Sequence, residues 1–369
     1  LLNARLPDLG LGGTLTGSAQ ISGSLADPRA TFTAEAAGLN ARPLAAYGAA
    51  PLNVNAAGRF AAGEVVLDSL NAAGPGGLSV TASGRIPLAG QALAVNAQGT
   101  VPVSLANRLL ADRGAQLAGT LTADLDIGGS LANPAISGTL RTSDASAIDP
   151  MTNLRLTGIA IDAGISRNVI TIRSGTAGFA RGGTLAVSGS ISIDAAADFP
   201  ADLTLRLQQV RYSDGEMVSA TLDGSLQLAG ALARDPLLSG DIAIDRAEIL
   251  VPDSFGGGPA HVDVQHENPP PGVASTLRRA RADDGTPVPS GRPSVLRLAV
   301  NVEAPARIFV RGRGLDAELG GSVRITGPIT SVQPVGGFRL IRGRLAILAQ
   351  RITFDEGTVT LIGDLDPFL

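Results

Sequence analysis

The sequence predicts an all-β protein, an elongated and repetitive sheet with one apolar and one polar face. Three observations carry this. Apolar and polar residues alternate with period 2 in segment after segment, which sends side chains to opposite faces of a strand. Glycine, at 47 of 369 residues, recurs where such segments end and supplies the turns and bulges that many short strands need. Blocks of sequence also return at intervals near 100 residues, and repetition at a fixed period makes a chain grow lengthwise instead of closing into a ball.

Composition narrows the chemistry. The chain is 44% hydrophobic with a mean hydropathy of +0.23, so it has the material for buried surface and is not disordered as a whole. Aromatic residues make up only 3%, with no Trp, so that surface is built from Leu, Ile, Val and Ala. All 29 basic residues are Arg and there is no Cys, which removes Schiff-base and phosphate-loop lysines, thiol nucleophiles, disulfides and thiolate metal sites. A formal net charge of −4 argues against nucleic acid as a partner. No stretch reaches the roughly 18 to 20 apolar residues of a membrane span. With no initiator Met and no signal sequence, the chain reads as a piece of a longer protein whose targeting segment lies elsewhere.

Taken in order, residues 1–251 form the repetitive body. Residues 12–28 read GGTLTGSAQISGSLADP, residues 118–134 AGTLTADLDIGGSLANP, residues 219–236 SATLDGSLQLAGALARDP, and residues 317–334 give a looser copy, AELGGSVRITGPITSVQP. Their marker glycines Gly23, Gly129, Gly230 and Gly327 are separated by 129 − 23 = 106, 230 − 129 = 101 and 327 − 230 = 97 residues. Each copy reads as a strand, a polar turn closed by Pro28, Pro134, Pro236 or Pro334, and a return strand, with the proline where no ladder donor is needed. A second block, GGLSVTASGRIPL at residues 76–88, echoes GGTLAVSGSISID at residues 182–194 and places Gly84 and Gly189 105 residues apart. The exception is residues 103–112, where Leu105, Leu109 and Leu110 fall at helical spacing behind Pro102 and predict a short helix.

Residues 252–294 carry Gly256, Gly257 and Gly258, then Pro269, Pro270 and Pro271, then Arg278, Arg279 and Arg281, with too few apolar residues to pack. They predict a flexible insertion between two strands that pair with each other, replaceable by a brief Gly-Ser turn because loop length costs free energy only logarithmically. Residues 295–369 return to alternation. With the insertion set aside, about a dozen residues per strand and turn predicts on the order of 25 strands and a sheet roughly 120 Å long.

The candidate functional surface is the apolar face itself. Leu203, Leu205 and Leu207 alternate with Thr204 and Arg206; Leu296, Leu298, Val300 and Val302 alternate with Arg297, Ala299 and Asn301; Val323 and Ile325, then Ile352 and Phe354, continue the pattern. Alternation alone leaves open whether this stripe is the core of a closed sandwich or the lining of an open groove. The shortage of large residues to plug it favours the groove, where acyl chains or unfolded apolar strands would gain about 0.8 kcal/mol per buried methylene.

Catalytic chemistry has no candidates: neither G-x-S-x-G, G-x-G-x-x-G nor a phosphate loop occurs, and no cofactor site is predicted. His261 and His266 lie in the insertion with Asp263 and Glu267, where a metal would have to order its own loop, so no metal site is predicted. The neighbouring carboxylates Asp283 and Asp284, or Asp355 and Glu356, read as solvated surface. Arg307, Arg311, Arg313, Arg339, Arg342, Arg344 and Arg351 concentrate positive charge towards the C-terminal end, in part to keep sheet edges from pairing and in part available to lipid head groups or a partner.

The most specific stretch is residues 304–321, APARIFVRGRGLDAELGG, followed by VRITG and by GGFRLIRGRLAILAQRITFDEGTVTLIGDLDP at residues 336–367. It resembles the C-terminal domain of the TamB family, and more distantly the AsmA-like bridge-like lipid-transfer proteins, with that domain cut short here. The resemblance implies a sheet curled lengthwise into an open trough, a β-taco, with an apolar inner face. It also implies a non-enzymatic component of the translocation and assembly module in the periplasm of a Gram-negative bacterium, anchored to the inner membrane by a segment outside this sequence. The implied partners are a TamA-like outer-membrane barrel and phospholipid acyl chains or unfolded outer-membrane protein strands, in support of outer-membrane protein assembly, autotransporter secretion and phospholipid transfer. Two other classes remain in view: a scaffold with no cargo, and an adhesin-like passenger, whose coils repeat at about 20 to 30 residues rather than near 100.

Overall fold

A computed structural model describes residues 10–24, 27–46, 48–88, 92–108, 114–130, 133–150, 153–194, 196–252, 296–347 and 350–363. Twenty strands join in one sheet. The first third of the chain holds β1 (Gly12–Gly23), β2 (Pro28–Asn40), β3 (Leu52–Ala61), β4 (Glu64–Ala73), β5 (Ser79–Pro87) and β6 (Ala94–Pro102). Then come β7 (Gln116–Ala118), β8 (Thr120–Gly129), β9 (Pro134–Asp149), β10 (Leu154–Ser166), β11 (Val169–Phe179), β12 (Thr184–Ser192), β13 (Pro200–Ser213), β14 (Val218–Ala231) and β15 (Leu237–Leu250). The chain resumes with β16 (Arg297–Gly312), β17 (Leu315–Pro328), β18 (Gln333–Ile347), β19 (Gln350–Phe354) and β20 (Thr358–Ile362).

Strands consecutive in sequence pair from β1 to β6 and from β8 to β18, with β6 joined to β8 and β7 continuing the line of β8 against β9. At one margin β1 pairs only with β2, and at the other β19 and β20 share the outer edge of β18, so the sheet is curled but does not close. Seventeen inter-strand steps at about 4.8 Å make the described sheet roughly 80 Å long, shorter than the 25-strand expectation because the long strands of the second half take 14 to 16 residues each. Among the described residues, helix is limited to α1 (Arg42–Ala46) and two 3₁₀ turns. The expected helix at 103–112 is a 3₁₀ turn over Val103–Arg108, and residues 109–112 lie outside the described residues.

The four sequence copies are four hairpins, β1–β2, β8–β9, β14–β15 and β17–β18. Their marker glycines end the first strand at φ of 89°, 78°, 105° and 94° for Gly23, Gly129, Gly230 and Gly327, a left-handed conformation that a side chain would strain. The structural period is nevertheless three strands, half of the interval read from sequence. Six strands separate β8 from β14, whereas only three separate β14 from β17; the 43 residues 253–295 fill the rest of that 97-residue interval.

The same three-strand rhythm appears in a glycine kink. Gly138 in β9, Gly189 in β12, Gly240 in β15 and Gly336 in β18 have φ of 140°, 133°, 132° and 144°, and a Cβ on any of them would collide with the carbonyl of the neighbouring strand. Each sits directly across from a large aliphatic residue: Leu125, Leu203, Leu226 and Val323 respectively.

One pairing departs from the antiparallel rule. β15 and β16 are parallel, with Leu237 beside Arg297 and Leu250 beside Arg311. The flanking strands do pair directly, as expected, but a hairpin turn cannot join them: the connection must carry the chain back along the whole of β15, about 46 Å, and parallel neighbours need a crossover of a dozen or more residues. A brief Gly-Ser turn would therefore not replace the connection. The insertion itself, with His261, Asp263, His266 and Glu267, lies outside the described residues.

Candidate functional site: an uncovered apolar face

The strand register assembles the alternating residues into rows that cross the sheet. One row runs from Ile172 through Gly189, Leu203, Leu228 and Leu238 to Leu298 and Gly327. Towards the N-terminal margin it continues through Ala163, Leu140, Ala123, Gly99, Val80, Ala72, Val54 and Ala36 to Leu15. Every position over sixteen strands is aliphatic or glycine. A second row links Val187, Leu205, Leu226, Gly240, Val300 and Ile325, and a third links Leu185, Leu207, Gly224, Ile242, Val302 and Val323. Of the residues singled out from sequence, Leu203, Leu205, Leu207, Leu298, Val300, Val302, Val323 and Ile325 therefore share three adjacent rows on one face. Leu296 lies just before β16, and Ile352 and Phe354 sit at the margin, opposite Leu345 and Gly343.

The opposite face is polar. Asn301 donates its Nδ2–H to Asp241 (2.9 Å), Gln227 donates to Asp202 (2.8 Å), and Thr204, Arg206 and Arg324 alternate with the aliphatic rows.

Among the described residues, no second layer covers the apolar rows. No large side chain in the described structure is fully buried, and Ala304, at 0% exposure, is the most occluded apolar residue. Leu203, Leu205, Leu207, Leu298, Val302 and Ile325 are half-buried, shielded by row neighbours alone. Val300 and Val323 are more enclosed, at 5% and 7%.

Alternation hides where the trough bends. In β13 the apolar face passes from Leu207 to Val210, because Gln209 is an extra residue with φ 48° that reverses the parity of the strand. Equivalent slips occur at Asp245 in β15 and at Ile341 in β18, and in β16 residues 305–307 stand against Gly320 alone, a larger bulge that leaves the parity of that strand unchanged. A bulge bends its strand, and slips on successive strands draw a crease across the sheet. Buried Val210, Ala247, Ala304 and Ile308 flank it, the last three forming a cluster with Ala220, Ile249, Leu319 and Phe338 packed against it. The crease is the floor of the trough. Its far wall carries Val218, Ile249, Val310, Ala317, Gly343 and Phe354 in register. Of these only Phe354 was singled out in the sequence; the others were missed, and the only signal for them was the broken alternation itself.

The outer side of the crease is braced by polar contacts to the bulged residues. Asp223 accepts both the backbone N–H and the side-chain N–H of Gln209 (2.9 Å each). Arg307 pairs with Asp245 (3.1 Å), and Glu318 accepts from the Arg307 backbone (3.3 Å) and from Arg342 (2.7 Å). Nearer the rim, Phe309 lies between the guanidinium groups of Arg246 and Arg311, each 4.8 Å from the ring centroid.

Glu248 is held below the usual carboxyl range, first by its hydrogen bond from Arg246 and then by the charges of Arg246 and Arg311. Asp316 is lowered chiefly by its hydrogen bond from Arg311, with Arg344 adding to it. Arg307, Arg311, Arg342 and Arg344 are thus committed to ion pairs within the sheet. Among the described residues no group of acidic and histidine side chains could hold a metal ion, and no helix is long and apolar enough to cross a membrane.

The sequence matches the family model for the TamB C-terminal domain over residues 173–369, more than half of the chain. The chain belongs to the TamB family. TamB is a non-enzymatic transport-module family of envelope bridge proteins, associated with outer-membrane assembly. The chain is also similar to protein TIC236, chloroplastic, of Arabidopsis thaliana, at 27% identity over 147 residues, which is 39% of this chain and 7% of that protein. The chain thus spans a small part of that relative. No solved structure matches it.

Proposed function

We propose that this chain is the body of a periplasmic bridge that carries apolar cargo along its trough between the inner and outer membranes. The single observation behind this is an aliphatic row sixteen strands long with no layer over it among the described residues. In water such a face is costly, at about 25 cal/mol per Å² of apolar surface, and acyl chains of phospholipids or the apolar strands of unfolded outer-membrane proteins would relieve that cost without any chemical step. Leu203, Leu205, Leu207, Leu296, Leu298, Val300, Val302, Val323, Ile325, Ile352 and Phe354 are the proposed lining. A TamA-like barrel is the proposed outer-membrane partner, with inner-membrane attachment through a part of the protein beyond this sequence and autotransporters among the clients. We further propose that residues 1–251 and 295–369 form the repetitive body and the family-specific end of the bridge.

The test places charge on the lining. Leu298→Asp and Ile325→Arg introduce a charge at half-buried positions where it still reaches water, so the fold survives while the apolar path is interrupted. Asn301→Asp and Thr326→Asp, on the polar face, are the controls. The first pair is expected to abolish lipid transfer or outer-membrane protein assembly in cells at normal protein levels, and the controls to leave both intact. Unfolding of the first pair would mean a closed core, and full activity would mean a passive tether.

A further inference from the structure

The arginines that matter for cargo are not those crowded at the C-terminal end, which are largely spent on ion pairs, but three that meet at a notch in the rim. The turn between β11 and β12 is flanked on one side by the start of β10 and on the other by the end of β13. The Ala180 N–H donates to the Arg155 carbonyl (2.9 Å), and the Arg211 N–H donates to the Gly182 carbonyl (3.0 Å), so Arg155, Arg181 and Arg211 stand side by side across the turn. Asn153 reaches over this turn and donates its Nδ2–H to the Ser213 carbonyl (3.1 Å), which fixes the two flanks relative to each other. All three arginines line one open cleft of about 260 Å³.

None of the three forms an ion pair with a described carboxylate. The acidic groups of the adjoining turn and strand are engaged elsewhere: Asp214 accepts the backbone N–H groups of Glu216, Met217 and Val218 (2.9 Å each), and Glu248 is taken by Arg246 and Arg311. Three guanidinium groups that share a cleft with no counter-ion among the described residues repel one another, and their planar donor forks match the oxygens of a phosphate. The trough side of the same cleft is apolar. Phe179 lies in register with Leu156, two residues beyond buried Ala177, and Tyr212 follows buried Val210 by the same step.

We propose that this notch binds the phosphate of an amphiphile's head group while its chains lie on the apolar face. The inference rests on the lipid reading above and names the residues that would select the head group. The experiment uses the whole chain and three probes: dioleoyl phosphatidic acid and dioleoylglycerol, which share their chains and differ in the phosphate, and inorganic phosphate. Wild type should retain phosphatidic acid from mixed micelles at least tenfold better than dioleoylglycerol. Arg155→Gln, Arg181→Gln and Arg211→Gln together should bring that ratio close to one, with dioleoylglycerol binding and melting temperature unchanged.

Equal retention of the two lipids by wild type, or a triple variant that keeps the preference, overturns the head-group site and leaves the trough reading standing. Retention of neither lipid overturns the trough reading itself. Saturation of the notch by inorganic phosphate at micromolar concentration, without lipid discrimination, would assign it to a free anion and overturn the proposal.

Discussion

At the scale of single residues, the molecule depends on glycine where the sequence offers no other clue to strain. Gly189 has φ 133°, and its missing Cβ leaves room for the Asp202 carbonyl and the Cα of Leu203 on β13. Gly189→Ala would force either a strained backbone or separation of β12 from β13, at a cost on the order of 1 to 3 kcal/mol. The expected outcome is a clearly lowered denaturation midpoint. Gly63, at φ 72° with open space where its Cβ would fall, is the comparison: Gly63→Ala meets only the backbone penalty and should lose less. Equal losses at the two positions would mean that close approach of neighbouring backbones contributes nothing at the kink.

At the scale of elements, two features can be tested by changing chain length instead of side chains. Deleting Gln209 removes the bulge in β13 while leaving Val210 and Tyr212 on the apolar face and Arg211 on the polar one, so the strand loses its bend at the crease and the brace to Asp223. The expected result is loss of hydrogen-exchange protection in β13 and in the facing part of β14, with β2 to β6 unaffected because each strand touches only its neighbours. Protection retained through β13 would show that the crease does not depend on the bulge.

The connection between β15 and β16 responds to length in a different way. Replacing residues 253–295 by a linker of four residues should break the parallel pair, because about 46 Å cannot be spanned, whereas a linker of about 25 Gly and Ser residues should restore it at little cost in stability. A four-residue linker with an unchanged unfolding midpoint would contradict the parallel register.

At the scale of the whole molecule, stability is distributed along a line. Among the described residues no central core gathers the chain; adjacent strands share rows, and buried residues follow the crease from Ala36 and Ala163 to Val210, Ala247 and Ile308. A compact chain of this length would have a radius of gyration of about 21 Å. A sheet roughly 80 Å long should give a value well above that, with a pair-distance distribution skewed to long separations. A small-angle scattering curve that fits the compact value would mean that the sheet folds back on itself.

The sequence by itself determined that the chain is all β, that its hairpins sit at residues 12–28, 118–134, 219–236 and 317–334, and which of Leu203 to Leu207, Leu298 to Val302 and Val323 to Ile325 share a face. Local rules suffice for these: side chains alternate along a strand, glycine takes the left-handed turn, and proline stands where no donor is needed. Only the tertiary structure decided the three-strand period, the parallel seam at β15 and β16, the crease and its far wall, and the meeting of Arg155, Arg181 and Arg211. Each depends on which residue stands opposite which on another strand. A bulge such as Gln209 changes that register by one residue without any marked change in composition, and the arginines of the notch are brought together by pairing across β11 to β13 although residues 155 and 211 are far apart in sequence.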